Sequence, residues 1–282
     1  MPAINLDQVK WIYGARDCSH STDPLLQVIA FDEDTSVLRQ SKCFNFEGNF
    51  MYLLFGTERA VLLDTGASPG PNAHDQVLPL RRAVDDLFAQ RNALPENYEL
   101  IVAHTHSHGD HVYWDSDFES RSRTSIVGHG VPDVMAFFGL PNWPEGEAFL
   151  DLGARRLTIF PIPGHEAAHI AVYDQRTEIL LTGDSLYPGL LTIRNWAAFR
   201  RSAARLAAFS DQHPVSVVLG AHIEMKKIAR ELYPIGTTYQ PEEHSLPLRT
   251  THIKELNAAC ERMADRPHED VHDEFVIGEP EA

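Results

Sequence analysis

The sequence predicts an α/β fold built on mixed sheets, and three features carry that expectation. Short runs rich in Val, Ile, Leu and Phe alternate with segments whose apolar residues recur at helical spacing. Clusters of Gly, Pro and Asn separate these runs. Histidines and aspartates follow directly on several strand-like runs, where loops can converge on one rim of a sheet. No repeat or internal boundary is visible. The chain therefore reads as one domain over 1–282, with an N-terminal arm at 1–24 and an acidic tail at 265–282.

Taken in order, residues 1–24 are irregular and polar, an arm expected to lie over the domain. Strands are expected at 25–31, 36–39, 50–55 and 60–63, paired antiparallel, the last two joined by Gly56-Thr57-Glu58-Arg59. The fourth ends in Asp64-Thr65-Gly66. Val77, Leu80, Val84, Leu87 and Phe88 share one face of a helix over 76–91, which Leu94-Pro95-Glu96-Asn97 closes. A strand at 99–104 follows, then a helical turn at 113–118, a short strand at 125–128 and a short helix at 132–138. Residues 139–146, with Trp143 and two prolines, read as a surface loop. Beyond it come a strand at 157–162, a hairpin of 170–173 with 178–181, and an Ala- and Arg-rich helix at 195–210. A strand at 215–219, a loop at 233–247, a helix at 250–264 and a last edge strand at 275–277 complete the chain.

Composition narrows the function. The 282 residues, 43% of them hydrophobic, suffice for a sizeable core. A net charge of −16 excludes a basic groove that tracks phosphates, so nucleic acid is not expected as a partner. Part of the acid excess (Glu269, Asp270, Asp273, Glu274, Glu279 and Glu281) lies in the tail, which reads as a solvated face or as partly disordered. Cys18, Cys43 and Cys260 are widely spaced and form no Cys-x-x-Cys pair; a disulfide framework is not expected, and a reducing cytoplasm fits. The N-terminus shows no signal peptide, and no apolar run is long enough to span a membrane.

The chemistry centres on His104-Thr105-His106-Ser107-His108-Gly109-Asp110-His111, four histidines and one aspartate within eight residues. Packing needs no such composition; imidazole nitrogens and carboxylate oxygens are what zinc and similar cations prefer. The run Leu100-Ile101-Val102-Ala103 reads as a buried strand that delivers this loop. His165, Asp184 and His222 likewise follow strand-like runs. Together with His106, His108, Asp110 and His111 they make seven candidate metal ligands. That is too many for one tetrahedral ion and suits two ions sharing a carboxylate.

These motifs resemble the metallo-β-lactamase superfamily of metal-dependent hydrolases. The family's His-x-His-x-Asp-His pattern matches His106-Ser107-His108-Gly109-Asp110-His111. Its later positions match His165 in Pro-Gly-His, Asp184 in Leu-Thr-Gly-Asp-Ser and His222 in Gly-Ala-His; Asp64 in Leu-Leu-Asp-Thr-Gly matches its first aspartate. The resemblance implies a four-layer αββα sandwich of two mixed β-sheets with the site at the sheet edges. It implies a first metal at His106, His108 and His165, a second at Asp110, His111 and His222, and Asp184 bridging them. Two Zn2+ per chain are expected, with Fe or Mn as alternatives. An aspartate at 184 points to the glyoxalase-II-like and lactonase-like branches. The implied reaction is attack by a metal-bridging hydroxide on a small ester-like molecule: thioester, lactone, ester or β-lactam. Asp110 would be the catalytic residue that orients the nucleophile. His104, Asp64 and Thr182 are candidates to fix the imidazole tautomers.

Competing readings come from other branches of the same resemblance. A persulfide dioxygenase would use one iron, and a nuclease or phosphodiesterase would need a basic surface. A flavodiiron protein would carry glutamate at position 108. A non-catalytic metal scaffold is the remaining class. His169 is read as packing or as a support for the ligands, and His74, His129, His244 and His252 as surface or loop residues. Tyr187 is either an oxyanion donor or an aromatic wall. Trp114, Phe138 and Trp143 either line an apolar pocket or pack in the core. Lys226, Lys227 and Arg230 either meet a substrate carboxylate or, the favoured reading, sit on a solvated helix face. Residues 233–249 could form a lid or an interface between copies in a homo-oligomer.

Overall fold

A computed structural model describes residues 3–91 and 94–280; the extreme ends of the expected arm and tail lie outside the described residues. The first half forms a six-stranded sheet in sequence order: β1 (Leu26–Ala30), β2 (Thr35–Gln40), β3 (Phe50–Phe55), β4 (Arg59–Leu63), β5 (Glu99–Ala103) and β6 (Thr124–Ile126). β1 to β4 pair antiparallel, whereas β4, β5 and β6 run parallel. Helix α1 (Leu80–Ala89) links β4 to β5, and two single turns, α2 (Gly109–Val112) and α3 (Ser116–Glu119), lie between β5 and β6. Helix α4 (Val131–Phe138) leads to the second sheet, built from β7 (Ala148–Asp151), β8 (Arg156–Pro161), β9 (Ile170–Asp174), β10 (Ile179–Gly183) and β12 (Val217–Gly220) in the order β12-β10-β9-β8-β7. The strip β11 (Leu190–Leu191) precedes α5 (Trp196–Gln212); α6 (Thr250–Met263), β13 (Asp270–Val271) and β14 (Val276–Ile277) follow β12.

Side-chain alternation along the strands shows the layering. In β3, Phe50, Tyr52 and Leu54 face one hydrophobic cluster, and Met51, Leu53 and Phe55 face another. The first cluster also receives Leu157, Ile159, Ile170, Val172, Ile179, Leu181 and Leu219 from the second sheet, so it is the seam between the sheets. The outer face of the first sheet is covered by Leu80 and Val84 of α1 with Trp114 and Phe118. The outer face of the second, through Phe160, Tyr173, Leu180 and Val218, is covered by Phe199 and Leu206 of α5 and Ile253 and Leu256 of α6. That is the expected αββα order. Both faces of the central strands are buried, which is why they read as continuous apolar runs. Each large side chain sealed this way contributes roughly 1.5–3 kcal/mol.

Several local expectations are corrected. Cys18 and Cys43 form a disulfide, with Cα atoms 5.2 Å apart; Cys260 is free and buried. The arm folds back so that Trp11 packs edge-on against Phe50, bringing two cysteines 25 residues apart together where no spacing motif announced it. The cysteine argument for a reducing compartment therefore falls. The tail is not simply solvated. Phe275, Val276 and Ile277 are buried, and β14 is the middle strand between β11 and β13 rather than an edge. Strand β7, inside a segment without a clear pattern, was not anticipated. Lys226, Lys227 and Arg230 lie on no helix; they pair with Glu231, Glu242 and Asp273. The 233–247 segment is tied to the body, where Glu243 meets the fully buried Arg39 of β2 in an ion pair. No helix among the described residues is long and apolar enough to cross a membrane.

Candidate metal centre

Strand direction collects the site. β8, β10 and β12 run the same way in the second sheet, since β9 is antiparallel to β8 and β10 and β12 is parallel to β10. The residues that leave their C-terminal ends, His165, Asp184 and His222, therefore share one rim. β4 and β5 are parallel and deliver Asp64 and the 104–111 loop to the facing rim. Local backbone features set the aim. The β10–β12 register shifts between Leu181 and Gly183, turning Asp184 toward the seam. Gly183 has φ +49°, and a Cβ there would stand 2.6 Å from His169 Nε2 and 2.7 Å from Thr105 Cβ, so only glycine fits. Asp64 has φ 69°, an uncommon state for a non-glycine residue. It accepts hydrogen bonds from Thr105 N at 2.7 Å and Thr105 Oγ1 at 2.9 Å, which pin the start of the histidine loop.

Two donor sets result. In the first, His106 Nε2 and His108 Nδ1 are 2.9 Å apart, and His165 Nε2 lies 3.2 Å from the former and 2.9 Å from the latter. In the second, His111 Nε2 is 3.2 Å from Asp110 Oδ2, and His222 Nε2 is 3.4 Å from Asp110 Oδ2 and 3.4 Å from His111 Nε2. Asp184 faces both. Its Oδ2 is 3.6 Å from His165, 3.8 Å from His106 and 3.5 Å from His111, while Oδ1 is 3.4 Å from His222.

The donor chemistry fits cations. Three imidazole nitrogens converging on one point cannot all satisfy one another by hydrogen bonding. Nitrogens bound to one tetrahedral zinc would stand about 3.3 Å apart. Asp184 Oδ1 is buried without a hydrogen-bond partner, an acceptor that a positive ion would satisfy. The distal nitrogens are also arranged for this. His165 Nδ1–H donates to the Thr192 carbonyl at 2.8 Å and His222 Nδ1–H to the Glu47 carbonyl at 3.1 Å, so that in each ring Nε2 is the nitrogen facing the site. His111 Nδ1 is 3.0 Å from Asp64 Oδ2.

Electrostatics divide the two sets. Burial pushes the His106 imidazole well below its ordinary range and His108 down to about 4, each reinforced by neighbouring histidines. Burial would also depress His111 and His222, but the carboxylates of Asp110 and Asp184 outweigh it and hold both well above the usual range. Burial opposes ionisation of Asp184 and Asp110; the surrounding imidazoles overcome it and keep both carboxyls well below the usual carboxylate range.

All seven expected residues thus meet on one rim. Of the three proposed supports, only Asp64 touches a member of the donor sets. Thr182 Oγ1 instead donates to the Leu186 carbonyl at 2.7 Å, because it points into the core beneath the loop. His104 turns away and lies 2.9 Å from Asp115 Oδ1; His129, exposed as expected, meets Asp115 Oδ2 at 2.7 Å. His169 stacks on His106 with ring centroids 4.7 Å apart. Tyr187 donates to the Leu190 carbonyl at 2.6 Å and presents its ring to His222, so it is a wall and not an oxyanion donor. Trp114 is core, its Nε1–H donating to the Ala67 carbonyl. The sequence reading passed over Glu47, Asn49, Thr105 and Thr192. Asn49 Nδ2–H donates to Asp110 Oδ2 at 3.1 Å. Its signal was positional: it precedes β3, which is antiparallel to β4, and so lies on the same rim as Asp64.

A two-sheet sandwich with histidine- and aspartate-rich donor sets on its rim defines a class of metal-binding α/β protein. The family model described as "Metallo-beta-lactamase superfamily" matches residues 45–222, and the chain belongs to that superfamily. It is 30% identical to the acyl-coenzyme A thioesterase MBLAC2 of Homo sapiens over 67% of this chain and 77% of that protein. The match to the MBLAC2 of Gallus gallus, at 33% identity, covers 34% of this chain and spans 35% of that relative's length. It is 29% identical to the hydroxyacylglutathione hydrolase of Chromohalobacter salexigens over 79% of this chain and 77% of that protein. Among solved structures, the DIM-1 metallo-beta-lactamase exposed to ceftazidime superposes with a TM-score of 0.55 at 15% identity, covering 86% of this chain and 99% of that one, which shows the shared fold.

Proposed function

We propose that this chain is a hydrolase that holds two zinc ions and cleaves the thioester bond between an acyl group and a small thiol carrier. The observation that carries the reading is Asp184, whose carboxylate faces both donor sets at 3.4–3.8 Å. His106, His108 and His165 would hold the first ion; Asp110, His111 and His222 would hold the second. Bound there, two such ions would supply an acidified water and would polarise the carbonyl under attack. The chain's own residues do the rest. Asp110, whose Oδ2 is anchored by Asn49, orients the attacking water. Asp64, Thr192 and the Glu47 carbonyl fix the tautomers of His111, His165 and His222. The relatives' names, acyl-coenzyme A thioesterase and hydroxyacylglutathione hydrolase, support thioesters ahead of lactones, esters and β-lactams.

The test is metal content followed by a substrate panel. Purified protein is expected to carry two zinc ions and to release free thiol from acyl-coenzyme A or acylglutathione thioesters faster than it opens lactones or β-lactams. One tightly held iron, with oxygen uptake on glutathione persulfide, would overturn the hydrolase. Two zinc ions with turnover of lactones alone would overturn only the substrate class.

A further inference from the structure

The segment Ser41 to Asn49 has no part in the donor sets, yet it touches the second set from two sides. The Glu47 carbonyl receives His222 Nδ1–H, and the Asn49 amide donates to Asp110 Oδ2, the same oxygen that faces His111 and His222. Nothing comparable reaches His106, His108 or His165 from this segment. Its position is fixed internally. The fully buried Lys42 Nζ donates to the Phe46 carbonyl at 3.2 Å and the Ile223 carbonyl at 3.3 Å, the direct neighbours of Glu47 and His222. Phe50 N donates to the Ala221 carbonyl at 2.8 Å. Gly48, at φ +55°, lies so close that a Cβ would stand 2.7 Å from Lys42 Cγ.

Asn49 is fully buried. A carboxylate oxygen accepts and cannot donate, so the amide must present its NH2 to Asp110, which fixes the orientation of the side chain. Its Oδ1 is then left buried with no partner. A folded protein rarely tolerates an orphan acceptor without a local reason. Here the reason is the grip on Asp110: turning the amide over to satisfy Oδ1 would set oxygen against oxygen.

We infer that Asn49 is a positioning residue of the second half-site: it holds the Asp110 carboxylate in place and so sets the affinity of the second ion independently of the first. The inference rests on the two-ion reading above. The contrast it requires is selectivity. A merely structural role would weaken both half-sites together, because they share Asp184 and one rim.

Stepwise zinc binding by competition with a fluorescent chelator reads this directly. Asn49→Leu keeps the branched shape of the side chain and removes the donor, and Asn49→Ala removes both, so one variant remains informative if the other folds poorly. Wild type is expected to show two binding steps. In either variant the tighter step stays within about twofold, and the weaker falls by roughly 10–100-fold, the usual loss when a partner behind a metal ligand is removed. Unchanged affinities for both steps in the variants, or an equal loss of both, would overturn the role of Asn49 while leaving the two-ion reading intact. A wild type that binds one ion only would overturn both.

Discussion

The two halves of the site are built from different materials. The first is three imidazoles, two of them on one tight loop, with burial holding His106 and His108 neutral. The second mixes two imidazoles with carboxylates, and those carboxylates hold His111 and His222 charged when nothing else balances them. Neutral imidazoles such as His106 and His108 offer lone pairs with no proton to displace. The mixed set carries its own counter-charges, so a cation entering it must replace protons. The supports differ in the same direction. His165 leans on the nearby Thr192 carbonyl, whereas the second set leans on three residues, Glu47 and Asn49 from the segment before β3 and Asp64 after β4. The second half-site is the more conditional of the two.

Asp184 is the place to break that contrast with the largest effect. Asp184→Ala is expected to lower hydrolysis by roughly a thousandfold and to weaken both ions, because its carboxylate serves both sets. His106→Ala should cost up to as much with loss of the first ion, and His222→Ala with loss of the second. Elemental analysis of dialysed protein, read beside thiol release from the same preparations, checks all three. Full activity retained in Asp184→Ala would end the shared-carboxylate reading.

The contrast was only half legible in the sequence. The donors were, because seven chemically distinctive side chains follow strand-like runs and the runs announce themselves by apolar periodicity. The layering was legible from resemblance, and its physical trace is the alternation in Phe50-Met51-Tyr52-Leu53-Leu54-Phe55, which feeds two different cores. The supports were not. Asn49 and Glu47 reach the site only because β3 runs antiparallel to β4, a pairing fact that no local pattern encodes. The Cys18–Cys43 bond was missed for the same reason: it depends on where the arm returns. Thr182 was chosen by proximity along the chain, and alternation placed it on the other side of the strand.

A smaller effect isolates the support of the second half-site. Lys42 is fully buried; that burial, reinforced by Arg39 and opposed by Glu243, Glu224 and Glu47, pushes its ammonium down to about 8 from 10.5. Between those values the unfolded chain binds a proton that the folded chain has released, so this group makes stability rise with pH across that interval. The full shift corresponds to about 3 kcal/mol. Lys42→Met removes the titration. Urea unfolding across the same interval should show wild type gaining on the variant by an amount of that order. Parallel pH profiles would mean that the ammonium is better solvated than its surroundings imply.

The smallest effect is expected at a third cluster, and it tests what distinguishes a metal site from a lookalike. His104, Asp115 and His129 also bring donor atoms within 4.8 Å of one another. Distance alone does not separate them from the first trio. Hydrogen bonding does. Asp115 Oδ1 is 2.9 Å from His104 Nε2 and accepts from Thr65 Oγ1 at 2.8 Å, while Oδ2 is 2.7 Å from His129 Nε2. A carboxylate between two imidazole N–H groups is satisfied as it stands, whereas three nitrogens facing one another are not. A metal on His104 Nε2 would also force a proton onto Nδ1, which is buried without a partner. His129 is exposed, so His129→Ala is expected to leave the metal count unchanged and to cost at most about 1 kcal/mol. Loss of one bound ion in that variant would show that the third cluster belongs with the other two.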